Sequence, residues 1–426
     1  MASQFTLLGS RLFAPFFWVQ FGGASNDNLF KFGVTLLLTY QLPTTLFDSS
    51  LAGVVIGGLF ILPFLLFSAT AGQLADYYPS DLIMRRVKDL EILIMLIAIW
   101  GFYTEQAWLL LLCIFLMGLH STFFGPVKYA YLPQTLDREQ LMGANALVQM
   151  GTFLAILIGN LLAGIFLSLP QQGILFLALT CFLLALLGRA MAQFLPKARN
   201  KALTERINWN PFSEISKNLK LAYQHKPLFI TMLLISWMWF FGAVYLNLFP
   251  ILSKEILRAD ESVASLILAV FAIGIGLGAL LCERLAQKHW PLSLIGAIGM
   301  SLFSCALYWL IHAKQSTDLI SITPFIMERD NWPLLTAFLG LSISIGLFIV
   351  PLYTQLQQTS DRRFIARIIA ANNILNSIYL IASSLIVGFL LSAHFSVQEI
   401  FLCLGLMNII YCFMLLHQLQ RLRTEV

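Results

Sequence analysis

Long runs of apolar residues alternate along the chain with short polar breaks. A bilayer core of about 30 Å needs roughly 20 apolar residues in a helix, and the runs reach that length. We therefore predict an all-α membrane protein with twelve transmembrane helices. The predicted spans are residues 12–41, 51–77, 83–103, 107–133, 141–169, 172–195, 227–253, 262–284, 291–312, 333–357, 366–393 and 396–419.

One polar stretch, residues 196–226, is long enough to divide these spans into two sets of six. We predict an N-terminal half over residues 1–195, a cytoplasmic linker, and a C-terminal half over residues 227–426. Within the linker, Asn210 followed by Pro211 is typical of a helix start. Apolar residues then recur at helical spacing, which indicates either a helix on the membrane surface or a solvated linker helix.

An internal repeat supports the division into halves. FFGPVKYAYLPQTLDREQLMGANALV in the first half resembles LFIVPLYTQLQQTSDRRFIARIIAANNIL in the second, and both copies join the fourth and fifth predicted helices of their half. Two parallel six-helix halves resemble the major facilitator superfamily, in which the substrate site lies between the halves near the bilayer midplane. The matched pairs are Pro126 and Pro351, Tyr129 and Tyr353, Gln134 and Gln358, and Asp137 and Asp361.

Composition agrees with a lipid solvent, because 59% of the residues are hydrophobic and only 11% are charged. Lys and Arg set the orientation, since positively charged flanks stay in the cytoplasm. With both termini inside, 20 of the 26 basic residues fall on the cytoplasmic side, Lys88 among them. The net charge of +5 then reflects topology and contact with anionic membrane lipids, and it implies no nucleic-acid partner.

Charged residues inside the apolar segments are functional candidates, because an ionised group at mid-bilayer costs a few kcal/mol. Asp27 lies at the centre of the first helix between Asn26 and Asn28, and Lys31 follows one turn later. An ion pair within the helix is the alternative for Asp27 and Lys31. We predict substrate binding, because an ion pair alone does not account for the neighbouring polar residues.

Lys128 lies on the fourth helix, eight residues after His120, and both are binding candidates. The repeat acts as an internal control, since the second copy keeps the Pro and Tyr but has Leu352 in place of the lysine. The architecture alone therefore does not need this charge. An ammonium in a cavity suits a phosphate or carboxylate, whereas a lysine near the cytoplasmic face can also extend to the interface.

Further polar residues give weaker signals. Asn145 and Gln149 on the fifth helix and Asn372 on the eleventh occupy equivalent places in the two halves, as binding residues or as hydrogen bonds between helices. The run GQLAD, from Gly72 to Asp76, resembles the superfamily's loop between its second and third helices. That resemblance implies a gating role for Gly72, Asp76, Arg85 and Arg86.

The sequence contains no phosphate-binding glycine loop, metal-ligand spacing or nucleophile triad. The six cysteines stand singly in apolar runs, and the start has no small-residue cleavage site of a signal peptide. We therefore expect a protein that is not an enzyme and that needs no cofactor and no metal.

Six segments together resemble the lysophospholipid transporter family of the major facilitator superfamily, closest to the branch fused to an acyltransferase and an acyl carrier protein ligase. They are SNDNLFKF, GQLADYY, FFGPVKYAYLPQ, GANALVQMGTFLAILIGN, SWMWFFGAVYLNLFP and IAANNILN. The resemblance implies alternating-access movement of lysophosphatidylethanolamine-type lipids across the bacterial inner membrane. It also implies reacylation on the cytoplasmic side by a separate acyltransferase, and we expect a monomer.

The resemblance extends to single residues. Asp27 and Lys128 match the family's acidic position on the first helix and its basic position on the fourth, which suits a headgroup with an ammonium and a phosphate. Some members carry a basic residue on the seventh helix, where this chain has neutral residues around the candidate Tyr245.

Two other functions stay open from the residues alone. One is a proton-coupled transporter of a small polar solute, drug or siderophore with Asp27 as the proton carrier, and the other is a membrane scaffold. Buried charges weigh against a scaffold, because it has no use for them.

Overall fold

The structure is a computed structural model that describes residues 4–42, 46–169, 171–197, 207–288, 290–311, 319–361 and 364–424. Within these ranges the chain forms twelve α-helices of 19 or more residues, together with a 14-residue and a 6-residue helix. In chain order they are α1 (Ala14–Tyr40), α2 (Ala52–Tyr77), α3 (Ser80–Tyr103), α4 (Ala107–Thr135), α5 (Leu141–Leu167), α6 (Gly173–Ala192), α7 (Pro211–Gln224), α8 (Lys226–Ile251), α9 (Glu261–Ala286), α10 (Leu292–Leu310), α11 (Ile322–Met327), α12 (Trp332–Thr359), α13 (Ile365–Ser392) and α14 (Val397–Thr424).

The twelve long helices confirm the predicted all-α architecture, and their ends agree with the predicted spans to within about five residues. Ten helices of the described residues are long and apolar enough to cross a membrane. The other two long helices are α1 and α3, which carry Asp27 and Lys31, and Lys88 and Glu91, within their length. Both long helices outside this set of ten thus carry an acid and a base among their interior positions.

The internal repeat lies where the sequence predicts. Pro126 is inside α4 and Pro351 is inside α12, and each copy continues into the next long helix. A proline within a helix removes one backbone hydrogen bond. In a membrane helix, neighbouring helices and Ser or Thr side chains can satisfy the freed carbonyl.

The described chain divides into two compact units. The first contains residues 1–144, 154–225 and 357–377, and the second contains residues 145–153, 226–356 and 378–426. The predicted division into residues 1–195, 196–226 and 227–426 stays a prediction.

In the first unit, α2 packs against α4, α1 packs against α6, and α3 packs against both α4 and α6. Its apolar core includes Leu29, Phe30, Ile94, Met117 and Leu177, all fully or almost fully buried. Other large apolar side chains of this unit are exposed, as expected for surfaces that face lipid.

In the second unit, α14 packs against α10 and α8. The interior of this unit is aromatic. The Tyr245 ring stacks on Phe401 at 4.3 Å between centroids, and Phe249 meets Phe271 and Phe338 edge to face at 5.3 and 5.5 Å. Such ring pairs add about 0.5–1.5 kcal/mol each beyond the area they bury.

The helix start predicted at Asn210 is present. Its side-chain oxygen accepts hydrogen bonds from the backbone N–H groups of Phe212 (3.1 Å) and Ser213 (3.2 Å), and Pro211 is the first residue of α7. These bonds satisfy donors that a helix end otherwise leaves unpaired. The large side chains of Phe212 and Tyr223 are exposed, and the location of α7 at a membrane surface stays a prediction.

Candidate functional site

A network of charged and polar side chains is buried where α1, α3 and α4 come together. The Lys88 ammonium lies 2.5 Å from Glu91 Oε2, one turn along α3. Asn26 donates a hydrogen bond of 2.7 Å to the other oxygen of Glu91, and His120 Nε2 lies 3.3 Å from Oε2. All four residues are at most 2% exposed, so we call them the buried layer.

Two glycines make room for the Lys88 side chain. A Cβ atom at Gly23 of α1 would lie 2.5 Å from the Lys88 nitrogen, and one at Gly188 of α6 would lie 3.4 Å from its Cδ. The ammonium also lies 5.5 Å from the centre of the Phe124 ring, a favourable cation–π contact. The two glycines therefore form a seat for the Lys88 side chain, and Glu91 supplies the counter-ion that a buried charge requires.

The sequence placed Lys88 on the cytoplasmic side, and the structure corrects this. Lys88 lies about two turns inside α3, which begins at Ser80, and it is 1% exposed. Its charge is neutralised within the protein, so it carries no information about orientation.

Asp27 lies next to the buried layer and is partly exposed, at 15% of its side chain. Ser121 of α4 donates a hydrogen bond of 2.5 Å to Asp27 Oδ2, and His120 Nδ1 lies 4.0 Å from Oδ1. Among the described residues Oδ1 accepts no hydrogen bond. A carboxylate with one held and one unused oxygen can accept a cationic group.

The other candidates on α1 and α4 are partly buried near Asp27. The Lys31 ammonium lies 5.0 Å from the centre of the Phe60 ring, and the Lys128 ammonium lies 5.3 Å from the centre of the Tyr129 ring. Asp27 interacts electrostatically with both lysines. The alternative of a close Asp27–Lys31 pair gives way to separate contacts, with Ser121 for the acid and an aromatic face for the base. Asn28 turns back on its own helix and donates to the Ala24 carbonyl oxygen at 2.8 Å.

Four further residues predicted to bind substrate have their own contacts within their units. Asn145, Gln149 and Tyr245 are part of the second unit. The Asn145 amide donates to Thr354 at 3.1 Å, and the Tyr245 hydroxyl donates to Ser304 at 2.8 Å within the aromatic core. Gln149 is buried, as is Asn372 of the first unit, whose amide makes no hydrogen bond to another described residue. The structure thus brings the α1 and α4 candidates together within the first unit, and a binding role for these four residues stays a prediction.

Asp76 of the predicted gate lies at the start of α13. Its carboxylate oxygens accept hydrogen bonds of 3.2 Å from the backbone N–H groups of Ala366 and Arg367, and the Arg367 Nε is 3.8 Å away. A carboxylate is stabilised at a helix N-terminus, where N–H groups are unpaired and the helix dipole is positive. Gly72 lies one turn earlier, where a Cβ atom would lie 2.6 Å from that of Ala370.

The two arginines predicted to act with Asp76 contact other groups. Arg85 forms an ion pair with Asp81 at 3.4 Å and donates to the carbonyl oxygens of Ala192 and Leu195. Arg86 is exposed and lies 3.6 Å from Asp89. The structure thus brings Arg367 to Asp76, although no motif in the sequence pointed to Arg367.

The linker is attached beside this gate. Gln73, next to Gly72, exchanges two hydrogen bonds of 3.0 Å with the backbone of Asn208, and the Asn208 amide donates to Glu214 of α7. Sequence reasoning missed this attachment because Gln73 and Asn208 are 135 positions apart.

The model of the Major Facilitator Superfamily matches residues 5–383, which is most of the chain. The chain belongs to this superfamily. It is an integral membrane protein of a transporter family. The helices that carry its candidate site, α1, α3 and α4, have 27, 24 and 29 residues, which is long enough to span a bilayer.

Among curated relatives, the lysophospholipid transporter LplT of Photorhabdus laumondii is 23% identical over 344 residues, covering 80% of this chain and 78% of the relative. The lysophospholipid transporter LplT of an Enterobacter species is 23% identical over 346 residues with the same coverage.

Solved structures share the superfamily fold. The E. coli fucose:proton symporter FucP has a TM-score of 0.71 at 12% identity and covers 95% of this chain and 98% of its own. The human organic anion transporter MFSD10 has a TM-score of 0.71 at 12% identity, covering 95% and 99%. A bacterial homologue of the iron transporter ferroportin has a TM-score of 0.67 at 14% identity, covering 96% and 99%.

Proposed function

We propose that this transporter is a flippase that moves lysophosphatidylethanolamine-type lipids across the bacterial inner membrane by alternating access. The similarity to curated lysophospholipid transporters supports the substrate class. The observation that carries the proposal is the pairing of one acid, Asp27, with one base, Lys128, at partly exposed positions of adjoining helices. Such a headgroup carries one ammonium and one phosphate.

Asp27 is the proposed partner of the lipid ammonium. Ser121 fixes one carboxylate oxygen, while the other makes no hydrogen bond to a described residue, and 15% of the side chain is exposed. The carboxylate therefore needs little rearrangement to accept a cation. At membrane depth, where the dielectric constant is low, a charged hydrogen bond is stronger than in water.

Lys128 is the proposed partner of the phosphate. It follows Ser121 by seven residues on α4, which places both on one face about 10 Å apart along the helix axis. The Cβ atoms of a helix lean toward its N-terminus, which is the direction of Ser121 and Asp27 from Lys128. The electrostatic interaction of Asp27 with Lys128 supports this proximity.

We further propose that Asp76 and the start of α13 form a gate. The contact combines a fully buried carboxylate with two backbone N–H groups and needs Gly72 for its close approach. Rocking movements in this superfamily break contacts at helix ends, and such a polar contact can reform without side-chain repacking. Arg85 and Arg86 then stabilise the neighbouring start of α3 through their carboxylate contacts.

The proposed function also includes an orientation in the membrane and a reaction that follows transport. An excess of Lys and Arg in the segments between helices supports cytoplasmic termini. A lipid delivered to the inner leaflet would then be reacylated by a separate acyltransferase.

The first test uses purified protein in vesicles and two lipids that differ in one charge. Lysophosphatidylethanolamine carries a phosphate and an ammonium, whereas lysophosphatidylglycerol carries only the phosphate. We expect Asp27→Asn to slow the first lipid about 10- to 100-fold and the second much less, since a charged hydrogen bond contributes about 1.5–3 kcal/mol. Lys128→Gln should slow both lipids.

Two exposed residues provide matched controls. Asp330→Asn and Lys288→Gln make the same chemical changes at surface positions and should leave both rates unchanged. Normal movement of lysophosphatidylethanolamine by both site variants would contradict the proposal. An equal effect of Asp27→Asn on the two lipids would show that Asp27 does not bind the ammonium.

A further inference from the structure

His120 has no part in the proposed binding of the headgroup, yet it is buried between two carboxylates. Its Nε2 lies 3.3 Å from Glu91 Oε2, and its Nδ1 lies 4.0 Å from Asp27 Oδ1. The ring is 2% exposed and stacks parallel to Phe124 at 6.5 Å. A histidine in such a place contributes more than packing, because each ring nitrogen faces an acid.

The number of protons on this group decides whether its contacts are favourable. A neutral imidazole has one N–H and one bare nitrogen, so a bare nitrogen that faces a carboxylate repels it. An imidazolium has an N–H toward each acid. Nε2 lies within hydrogen-bond distance of Glu91, whereas Asp27 Oδ1 accepts no hydrogen bond from a described residue, so the geometry leaves room for one more proton on the Asp27 side.

The charge of Glu91 is balanced by a nearby cation, whereas the charge of Asp27 is not. The Lys88 ammonium already neutralises Glu91 at 2.5 Å, and its glycine seat holds it there. Among the described residues no lysine or arginine forms such a close ion pair with Asp27, although Lys31 and Lys128 interact with it at longer range. Its Oδ2 accepts a hydrogen bond from the neutral hydroxyl of Ser121. A proton shared by His120 and Asp27 would balance the charge of Asp27 at low dielectric constant.

The groups around His120 limit what else can titrate. No residue of α5 is ionisable, Asp76 at the end of α2 is engaged with the start of α13, and Arg189 of α6 pairs with Asp89. The titratable or charged groups that remain are Asp27 and Lys31 on α1, Lys88 and Glu91 on α3, Lys128 on α4 and Cys181 on α6.

We propose that Asp27 and His120 form a proton-binding site at which a proton and the substrate ammonium replace each other. This inference rests on the proposed function, because it assigns the ammonium of the lipid to Asp27. Without lipid, the pair holds one proton, mainly on His120. When the ammonium reaches Asp27, this proton leaves, so that one positive charge replaces another.

The exchange balances in atoms and charge. One N–H bond of the imidazolium breaks, its electron pair stays on Nδ1, and the proton passes to the solvent buffer. Neutral His120 then keeps its Nε2 proton toward Glu91. Its bare Nδ1 lies 3.4 Å from the Ser121 hydroxyl, which can donate to it or to Asp27. No oxidant, reductant or further reactant is needed.

Proton release on binding tests the exchange directly. Lysophosphatidylethanolamine is added to the purified protein in weak buffer, and both the binding heat and the released protons are measured. The series runs from about pH 5 to about pH 8, where histidine usually changes charge. We expect release of up to about one proton per bound lipid, with a binding heat that depends on the ionisation heat of the buffer. Lysophosphatidylglycerol, which lacks the ammonium, should release none.

His120→Gln identifies the proton carrier. Glutamine keeps a polar side chain but cannot hold a proton at these pH values, so this variant should bind the lipid without proton release. Its affinity should also lose most of its dependence on pH. If the variant does not fold, the buffer series on the unchanged protein still decides the proposal.

The outcomes separate the two proposals. Binding of lysophosphatidylethanolamine without proton release at any pH would overturn the exchange and leave the lipid function intact. Equal proton release with both lipids would also overturn it, because the ammonium would not be the competitor. If neither lipid binds, the proposed function itself is contradicted, and the exchange with it.

Discussion

The two compact units solve the problem of a buried interior in different ways. In the first unit, charges and amides fill the space between α1, α3 and α4, and Lys88 and Glu91 are almost completely buried. In the second unit, aromatic rings fill the interior, and Trp237 stacks on Tyr411 at 4.1 Å between ring centroids. The polar side chains buried in the described part of this unit are neutral, as in the hydrogen bond of 2.7 Å from Trp237 to Asn408.

The difference separates two uses of buried polarity. A neutral hydrogen bond such as that of Trp237 contributes about 0.5–1.5 kcal/mol and fixes the positions of helices. A buried charge costs several kcal/mol unless it is paired, and it is kept where it has a task. On the proposed function, the buried charges of the first unit would serve transport and the interior around Tyr245 would serve packing.

Removal of the buried Lys88 charge should have the largest effect on stability. Lys88→Met leaves Glu91 without its counter-ion, so we expect a loss of about 3–5 kcal/mol in the free energy of unfolding. Thermal or denaturant unfolding in detergent measures it. The matched control is Arg86→Met on the same helix, whose ion pair with Asp89 is exposed and contributes at most about 1 kcal/mol.

A double variant sharpens this test. Lys88→Met combined with Glu91→Gln removes both charges and should recover most of the lost stability. If the single variant is as stable as the Arg86→Met control, the ion pair does not hold the first unit together.

The spans could be predicted because each long helix is a long apolar run with polar ends, and the signal is local. The Lys88–Glu91 pair could not, since a lysine two turns into α3 looks like part of a loop. Its glycine seat needs α1 and α6 in place, and these contacts join residues far apart in sequence. The one hint of this ion pair in the sequence was a base and an acid three residues apart on a predicted helix.

An intermediate effect is expected at Asp76. Asp76→Asn keeps one oxygen for a backbone N–H of α13 but loses the charge at the helix start, for a cost of about 1–2 kcal/mol. If the contact is a gate, the rate of lipid transport should change more than this stability loss explains. Unfolding and vesicle transport are measured together, with Asp330→Asn as control. Normal transport would make Asp76 a helix cap and no more.

The smallest effect is expected in the aromatic interior. Tyr245→Phe keeps the ring stacked on Phe401 and removes only the hydroxyl that donates to Ser304, so we expect about 1 kcal/mol and normal transport. Loss of transport by a folded variant would break the comparison, because it would return Tyr245 to the binding site predicted from the sequence.

The contacts of individual site residues could not be predicted from the sequence for a different reason. Asp27 and Lys31 stand one turn apart, so a pair within the helix was as reasonable as separate partners. The choice depends on Ser121 and Phe60, which come from other helices. Arg367 contacts Asp76 from 291 positions away, whereas Arg85 is only nine residues further along the chain. Nearness in sequence therefore pointed to a different arginine from the one that contacts Asp76 in the structure.

The two long helices that carry both an acid and a base among their interior positions, α1 and α3, also bear on how the chain is made. α1 carries Asp27 and Lys31 four residues apart, and α3 carries Lys88 and Glu91 three residues apart. Each helix can therefore enter the bilayer from the ribosome as an electrically neutral segment, with its acid and base shielding each other. α3 keeps that pairing in the finished protein. In the finished protein the acid and base of α1 instead contact later helices, Asp27 through Ser121 of α4 and Lys31 through Phe60 of α2. Asp27 therefore reaches its final contacts only once α4 has been synthesised and inserted.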